Sequence, residues 1–312
     1  MRALITGAAG FVGRYLVKFL LQQRYTVLAA CHGRLPDDPA LAGAILQQAD
    51  VTEKESLCRL IAEFSPDEIY HLAGIAVTTG EDREGYYRVN FCGTLNLFEA
   101  VREAAPRARV LYVGSAAAYG AVPPERQPIT EEQHLAPLNH YAASKAAADL
   151  AACAYAARGL HIVRVRPFNH TGPGQTTDYV CSRLARQVAE VALGRADPVI
   201  TAGNLDAARD FTDVRDVVRA YWLLVQRGRP GEAYNVCSAR AYTVREIANF
   251  LAEIAGVEIT LRSTIELQRK TDIPLLLGSA AKMCRETGWT PQIPFRQTLA
   301  DLLVWWRERL SS

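Results

Sequence analysis

The sequence predicts an α/β fold built on a doubly wound parallel sheet, followed by a smaller C-terminal α/β part. Two observations predict it. Short apolar runs alternate with amphipathic segments of 10 to 20 residues through the first half of the 312-residue chain. Runs such as Leu28-Ala29-Ala30 and Val110-Leu111-Tyr112-Val113 are apolar without interruption, as strands buried on both faces must be.

The first unit carries most of the information. Arg2 to Thr6 reads as a strand, and Phe11 to Gln23 as a helix. Between them Gly7, Gly10 and Gly13 stand three apart, one residue longer in the first step than the common GxGxxG dinucleotide fingerprint. Glycine permits positive φ and close backbone approach. A helix that opens there presents unpaired N–H groups and the positive end of its dipole. A pyrophosphate is the natural occupant. The glycines with Phe11 and Val12 are therefore expected to bind a nucleotide cofactor.

The remaining elements follow in order. Strands are expected at 26–30 and 45–49, a helix at 53–64, and a strand at 68–71 that ends in His71-Leu72-Ala73-Gly74. A long helix should cover about 83–105, a strand 109–114, a helix 140–158 and a strand 161–166. Beyond Pro167 the alternation loosens, with helices at about 178–194, 213–227, 243–255 and 296–310 separated by short apolar runs at 199–200 and 233–236. The expected division is a dinucleotide-binding domain over 1–170 and a nucleotide-sugar-binding domain over 171–312, with segments interleaved. The second part should cap the carboxyl edge of the sheet, where ligands bind in such folds.

Bulk properties exclude several classes. The chain is 49% hydrophobic and 22% charged, with a net charge of +2 and its charges interspersed. That is soluble globular composition without a basic stripe, so no nucleic-acid partner is expected. Seven cysteines, none spaced as CxxC, imply neither disulfides nor a metal centre and point to a reducing compartment. Met1-Arg2 leads straight into a strand and no apolar run approaches 18 residues, so neither a signal peptide nor a membrane span is expected. The expected location is the cytoplasm.

The catalytic expectation rests on Ser115 at the end of the fifth strand and on Tyr141 and Lys145 in the following helix. Tyr141 and Lys145 are four apart and share one helix face. An ammonium beside a phenol favours phenolate and should bring its pKa down from about 10. Ser115 could hydrogen-bond the same substrate oxygen.

Together, Gly7-x-x-Gly10-Phe11-x-Gly13, His71-Leu72-Ala73-Gly74, Ser115, Tyr141-x-x-x-Lys145 and Arg164-x-Arg166-Pro167-Phe168-Asn169 resemble the extended short-chain dehydrogenase/reductase family of nucleotide-sugar enzymes, whose sheet is of Rossmann type. The resemblance implies a Ser–Tyr–Lys triad: Tyr141 as acid/base, Lys145 tuning it and holding the nicotinamide ribose, and Ser115 holding the reacting oxygen. It also implies cofactor contacts from Asp50, Val51, Leu72, Ala73, Gly74, Asn90, Pro167 and His170. Substrate contacts are implied at Asn169, at Arg209 and Arg269 on the nucleotide diphosphate, and at Ser115. A homodimer through the helices at 83–105 and 140–158 is expected on the same ground.

Two stretches bear on the reaction. Family dehydratases carry an acidic pair just after the Ser/Thr, where this chain has Ala116, Ala117 and Ala118. Methyl groups cannot move protons, so the site looks equipped for hydride and one proton at a single carbon. The second expected strand ends in Cys31-His32-Gly33-Arg34, without the acid that binds a ribose 2′-hydroxyl. Arg34, with His32, could meet a 2′-phosphate instead. NADP(H) is the expected cofactor, with NAD(H) as the alternative.

Within the family, residues 166–175, 209–216 and 234–238 look closest to GDP-4-keto-6-deoxy-D-mannose reductases, although Ala117 stands where that branch commonly has Glu. The expected activity is NADPH-dependent reduction of a 4-keto group on a nucleotide-bound 6-deoxy sugar, a GDP-sugar being favoured and GDP-D-rhamnose the expected product. GDP-6-deoxy-talose is the epimeric alternative. A nucleotide-sugar 4-epimerase and a non-catalytic NADP-binding regulator are the rival readings; the regulator reading fits poorly with retention of both Tyr141 and Lys145.

Overall fold

The computed structural model describes residues 1–76, 82–267 and 273–311. The chain opens with β1 (Arg2–Thr6), α1 (Phe11–Gln22), β2 (Thr26–Cys31), β3 (Ile45–Gln48), α2 (Lys54–Phe64) and β4 (Glu68–His71). Next come α3 (Arg83–Gly85), a π-helical stretch (Tyr86–Cys92) and α4 (Gly93–Ala104), joined without a break in helical backbone. β5 (Arg109–Val113), α5 (His140–Ala157) and β6 (Ile162–Pro167) complete the first half.

The second half contains β7 (Asn169–Thr171), α6 (Val180–Ala192), β8 (Val199–Ala202), β9 (Ala208–Asp213), α7 (Val214–Arg227), β10 (Ala233–Val236) and β11 (Ala241–Thr243). It ends with α8 (Val244–Ala255), β12 (Thr260–Ser263), β13 (Leu275–Leu276), α9 (Ala281–Thr287) and α10 (Phe295–Ser311).

Seven strands form one parallel sheet in the order β3-β2-β1-β4-β5-β6-β10. Side chains alternate across it. Ala3 and Ile5 of β1 join a core with α1 and α7 on one face, while Leu4 joins a core with α2, α4 and α5 on the other. Hence the strands read as unbroken apolar runs. A separate core is built from α6, α8 and α10 with residues of β8, β9 and β12.

The chain does not pass from one core to the other only once. After β9 it returns to the main sheet, where α7 packs against α1 and β10 pairs with β6. Residues 214–236 thus lie with the dinucleotide-type sheet, although they follow residue 170 in sequence. The two cores are clamped at α7. Asp213 caps its N-terminus, accepting from the Arg215 N–H at 2.8 Å and from the Thr298 hydroxyl of α10 at 2.8 Å. Buried Asp216 accepts from the N–H groups of Gln292 and Ile293, each at 2.8 Å.

α5 is the element that carries two of the expected catalytic residues. Eight of its first fifteen residues are alanine, the best helix former. Asn139 caps it by accepting from the Ala142 N–H at 2.8 Å. One turn beyond Lys145, buried Asp149 receives the Arg166 guanidinium on both oxygens, at 3.0 and 2.8 Å, and Arg164 on one. Arg166 also donates to the Tyr119 hydroxyl at 3.1 Å, and Tyr119 donates to Asn235 of β10 at 2.7 Å. This network ties α5, β6, β10 and the turn after Ser115 together beneath the carboxyl edge.

Removing one member of a buried ion network leaves the others charged and unpaired. Asp149→Ala is expected to lower unfolding free energy by about 3–5 kcal/mol, read by chemical denaturation. A loss under 1 kcal/mol would show that solvent reaches the two arginines.

Candidate active site

The floor of the site is the turn between β1 and α1, and each glycine has its own reason. Gly7 has φ +71°, and a Cβ there would stand 2.7 Å from the Ala73 nitrogen and 2.9 Å from the Leu72 carbonyl carbon. The loop leaving β4 therefore touches the turn backbone to backbone. A Cβ on Gly13 would lie 2.5 Å from both the Gly7 and Ala8 carbonyl oxygens, so the first turn of α1 sits directly on the strand end. Gly10 is exposed, caps α1 in extended conformation, and meets only the Gly7 carbonyl at 3.2 Å. No side chain caps α1, which leaves its first N–H groups to a ligand.

Beneath this floor runs a chain of hydrogen bonds whose directions can be assigned. The Thr94 hydroxyl donates to the Asn90 carbonyl at 2.7 Å, so it accepts from His71 Nε2 at 2.9 Å. Nδ1 of His71 is then the acceptor for the Thr6 hydroxyl at 2.7 Å, and Thr6 Oγ1 accepts from the Ala73 N–H at 3.3 Å. His71 is a neutral imidazole protonated on Nε2. Burial and then the Lys145 charge depress its pKa to about 3.

Ser115 ends the loop after β5 in extended conformation, its Oγ accepting from the Ala117 N–H at 3.1 Å. Ala116 to Tyr119 form a 3-10 turn, with Ala116 and Ala118 buried. Lys145 is buried, donates to the Val113 carbonyl at 2.9 Å, and stands 3.2 Å from where a Cβ on Gly74 would be. Burial lowers its pKa to about 8. The Tyr141 ring packs edge-to-face on Tyr86 of the π-helical stretch, with centroids 6.1 Å apart.

The Tyr141 phenol differs from expectation. Burial pushes its pKa up, a hydrogen bond with Ser115 opposes that, and the nearby phenols of Tyr179 and Tyr86 add to the rise. Lys145, four residues on, is not among the groups that shift it; its ammonium donates to the Val113 carbonyl.

The other expected residues fall as follows. Asn90 is fully buried beside Gly74, its Oδ1 2.8 Å from where a Cβ on that glycine would be. Its amide accepts from the Ile75 N–H at 2.8 Å and donates to the Ile75 carbonyl and Ser144 hydroxyl, each at 3.1 Å. Its polar atoms hold the Gly74-Ile75 segment and α5. Val51 is buried, its Cγ2 2.7 Å from a Cβ on Gly93. Asp50 accepts from the N–H and hydroxyl of Thr52, both at 2.8 Å, which hold the carboxyl below its usual range against the penalty of burial. His32 lies 3.5 Å from Asp50 and Arg34 is exposed.

Phe11 and His170 stack with ring planes nearly parallel and centroids 6.4 Å apart, and His170 Nδ1 meets the Phe168 carbonyl at 3.1 Å. Pro167 ends β6 opposite Val236. Asn169 donates weakly to the Asp210 carbonyl at 3.4 Å, and half-buried Arg209 to the Ala208 carbonyl at 2.8 Å. Arg269 lies outside the described residues.

Tyr15 was not evident from sequence. Its hydroxyl donates to the Pro173 carbonyl at 2.7 Å, pinning the loop after β7 onto α1. An aromatic on the half-exposed face of α1 was the available signal. Among the described residues, no helix is long and apolar enough to cross a membrane.

A family model described as GDP-mannose 4,6 dehydratase matches residues 4–302. The chain is similar to a GDP-6-deoxy-D-mannose reductase of Pseudomonas aeruginosa, with 35% identity over 312 positions, 99% of this chain and 98% of the relative. Among solved structures, RMD from Pseudomonas aeruginosa complexed with NADPH matches with a TM-score of 0.87 at 34% identity, over 99% of each chain. A Thermus thermophilus UDP-glucose 4-epimerase in complex with NAD matches with a TM-score of 0.87 at 27% identity, over 98% of this chain and 99% of that one.

Because His71 is held neutral in the fold, the unfolded chain takes up its proton first, at about pH 6.5. Stability is therefore intact above that pH and declines as pH falls toward 3. The stability advantage of the wild type over His71→Gln, measured by urea denaturation, should narrow across this window; a constant advantage would refute the assignment.

Proposed function

The chain belongs to the GDP-mannose 4,6-dehydratase family, and on that premise we propose that it uses NADPH to reduce the 4-keto group of a nucleotide-bound 6-deoxy sugar, GDP-4-keto-6-deoxy-D-mannose, to GDP-D-rhamnose. The observation that carries this reading is the company of Tyr141. A protonated phenol stands with Ser115 at the sheet edge, and the turn after Ser115 has only alanine at 116, 117 and 118. Elimination of water needs a second acid and base at the ring, and three methyl groups supply neither. Full-length similarity to a GDP-6-deoxy-D-mannose reductase supports the GDP-sugar, and the NADPH complex of the neighbouring structure supports the cofactor.

The residues fit a dinucleotide on geometric grounds: the glycine floor, closed by main-chain contacts at Gly7 and Gly13, and the N-terminus of α1, which no side chain caps, leave backbone N–H groups for a pyrophosphate. Gly7, Gly10, Phe11, Val12 and Gly13 would hold the pyrophosphate. The adenosine end would lie toward Asp50, Val51 and Arg34, and Leu72 to Gly74 would border the middle. Bound NADPH supplies a hydride to carbon 4.

The chain's own residues do the rest. Ser115, aligned by the Ala117 N–H, donates its hydroxyl proton toward the substrate carbonyl oxygen. Tyr141 passes its phenolic proton to the same oxygen as negative charge develops there. A pKa raised by burial keeps that phenol protonated, which suits a donor; oxidation of an alcohol, the first step of a 4-epimerase, would start from phenolate. Lys145, as an ammonium, would hold the nicotinamide ribose. Asn169 and Arg209, with Arg269, take the nucleotide diphosphate.

Purified protein incubated with GDP-4-keto-6-deoxymannose should consume NADPH one for one, followed by nicotinamide absorbance, with the product's configuration at carbon 4 read by NMR. GDP-6-deoxy-talose as product would overturn the stereochemical assignment. No consumption, with NAD retained through purification, would replace the reductase reading with a 4-epimerase.

Tyr141→Phe should reduce kcat by roughly 10²–10⁴-fold while dinucleotide binding persists. Lys145 must be charged, and its pKa is lowered to about 8. The sign is therefore a fall of kcat/KM above about pH 8, since that ratio reports groups of the free enzyme. A flat profile to pH 10 would remove Lys145 from the mechanism.

A further inference from the structure

Arg14 follows the third glycine and lies in the first turn of α1, yet nothing above gives it a task. Its guanidinium pairs with Asp38, in the loop that leaves β2. Asp38 is itself anchored. It caps the 3-10 turn Pro39–Leu41 by accepting from the Ala40 N–H at 2.9 Å, and that turn packs on α1. The charge of Arg14 also reaches the end of β2, where it opposes the rise that burial imposes on the Cys31 thiol.

The end of β2 is where dinucleotide folds distinguish a ribose 2′-hydroxyl from a 2′-phosphate. Here it carries no acid between Cys31 and Arg34. Gly33 has φ +71° with open space where a side chain would be. Of the candidate cations, His32 faces Asp50, and Arg34 is exposed on the same loop as Asp38. Arg14 approaches that loop from the helix side. It is 40% exposed even while paired, so a larger anion can reach it.

We propose that Arg14 is a specificity-determining residue that binds the 2′-phosphate of NADPH, and that Asp38 holds its guanidinium in place until the phosphate displaces the carboxylate. The inference rests on the reading that the cofactor is NADPH. A phosphomonoester carries about −1.5 to −2 charge and three acceptor oxygens against the single charge of a carboxylate. A guanidinium fork meets it with two parallel donors. The exchange therefore runs toward phosphate.

The test is direct titration with NADPH and with NADH, followed by nicotinamide fluorescence, which needs no sugar substrate. Wild type should bind NADPH more tightly. Arg14→Gln should weaken NADPH by tenfold or more and leave NADH within twofold. Asp38→Asn, which removes the competing charge, should tighten NADPH two- to fivefold with NADH unchanged. Arg14→Lys keeps the charge without the fork and should retain part of the preference, which guards against a folding defect in the glutamine variant.

Equal weakening of both dinucleotides by Arg14→Gln would overturn the proposal, as would a variant that keeps the wild-type ratio. Those outcomes leave NADPH as cofactor. A wild type that binds NADH as tightly as NADPH would instead overturn the cofactor reading and this proposal together.

Discussion

The contact between Gly7 and the Leu72-Ala73 backbone leaves 2.7 Å for a side chain that needs more, and the rest of the site is arranged around it. β1 and β4 are neighbours in the sheet, but their connections depart in opposite directions: β1 leads to β2 on one side, β4 to β5 on the other. A crevice opens wherever strand order reverses in this way. Its floor is main chain only, because any Cβ at Gly7 would part the two loops. The Thr6–His71–Thr94 chain fixes their separation from below, and it does so with a neutral imidazole that gives and receives one hydrogen bond.

Burial governs the chemistry above that floor more than pairing does. Tyr141 and Lys145 are both pushed toward their uncharged forms, the phenol upward and the ammonium down to about 8. A phenol that resists ionisation holds its proton until a developing alkoxide draws it away. On the proposed reading this asymmetry favours reduction, and it arises because an alanine-rich helix can approach the sheet closely enough to exclude water from its polar residues. Asp149, Arg164 and Arg166 keep that helix in place from the side away from solvent.

Much of this was legible in the sequence, for physical reasons that differ by element. Strands buried on both faces and a glycine turn have unambiguous signatures, so the sheet and its N-terminal cradle could be read directly. The π-helical stretch Tyr86–Cys92 could not, since its apolar spacing also fits the expected uninterrupted helix over 83–105. Strands as short as Leu275–Leu276 or Ala241–Thr243 leave too few residues for a periodicity. Asn90 was named as a cofactor contact, but its bonds to Ile75 and Ser144 join segments that are distant in sequence and could not be read from it. The rise of the Tyr141 pKa was illegible for a similar reason: spacing brings Lys145 within a turn but says nothing about depth or about Val113.

The late return of the chain to its first sheet has a consequence for assembly. β6 acquires its second neighbour from residues 233–236, and Tyr221 and Leu224 of α7 fill the core that also holds α1 and the first strands. During synthesis, therefore, a nascent chain that has just emerged past Pro167 carries an open strand edge and an uncovered apolar face. Neither is closed until the whole of the α6–β9 region has also been made. The first sheet is thus completed only after the chain has begun the second core, and the edge of β6 stays unpaired in the interval.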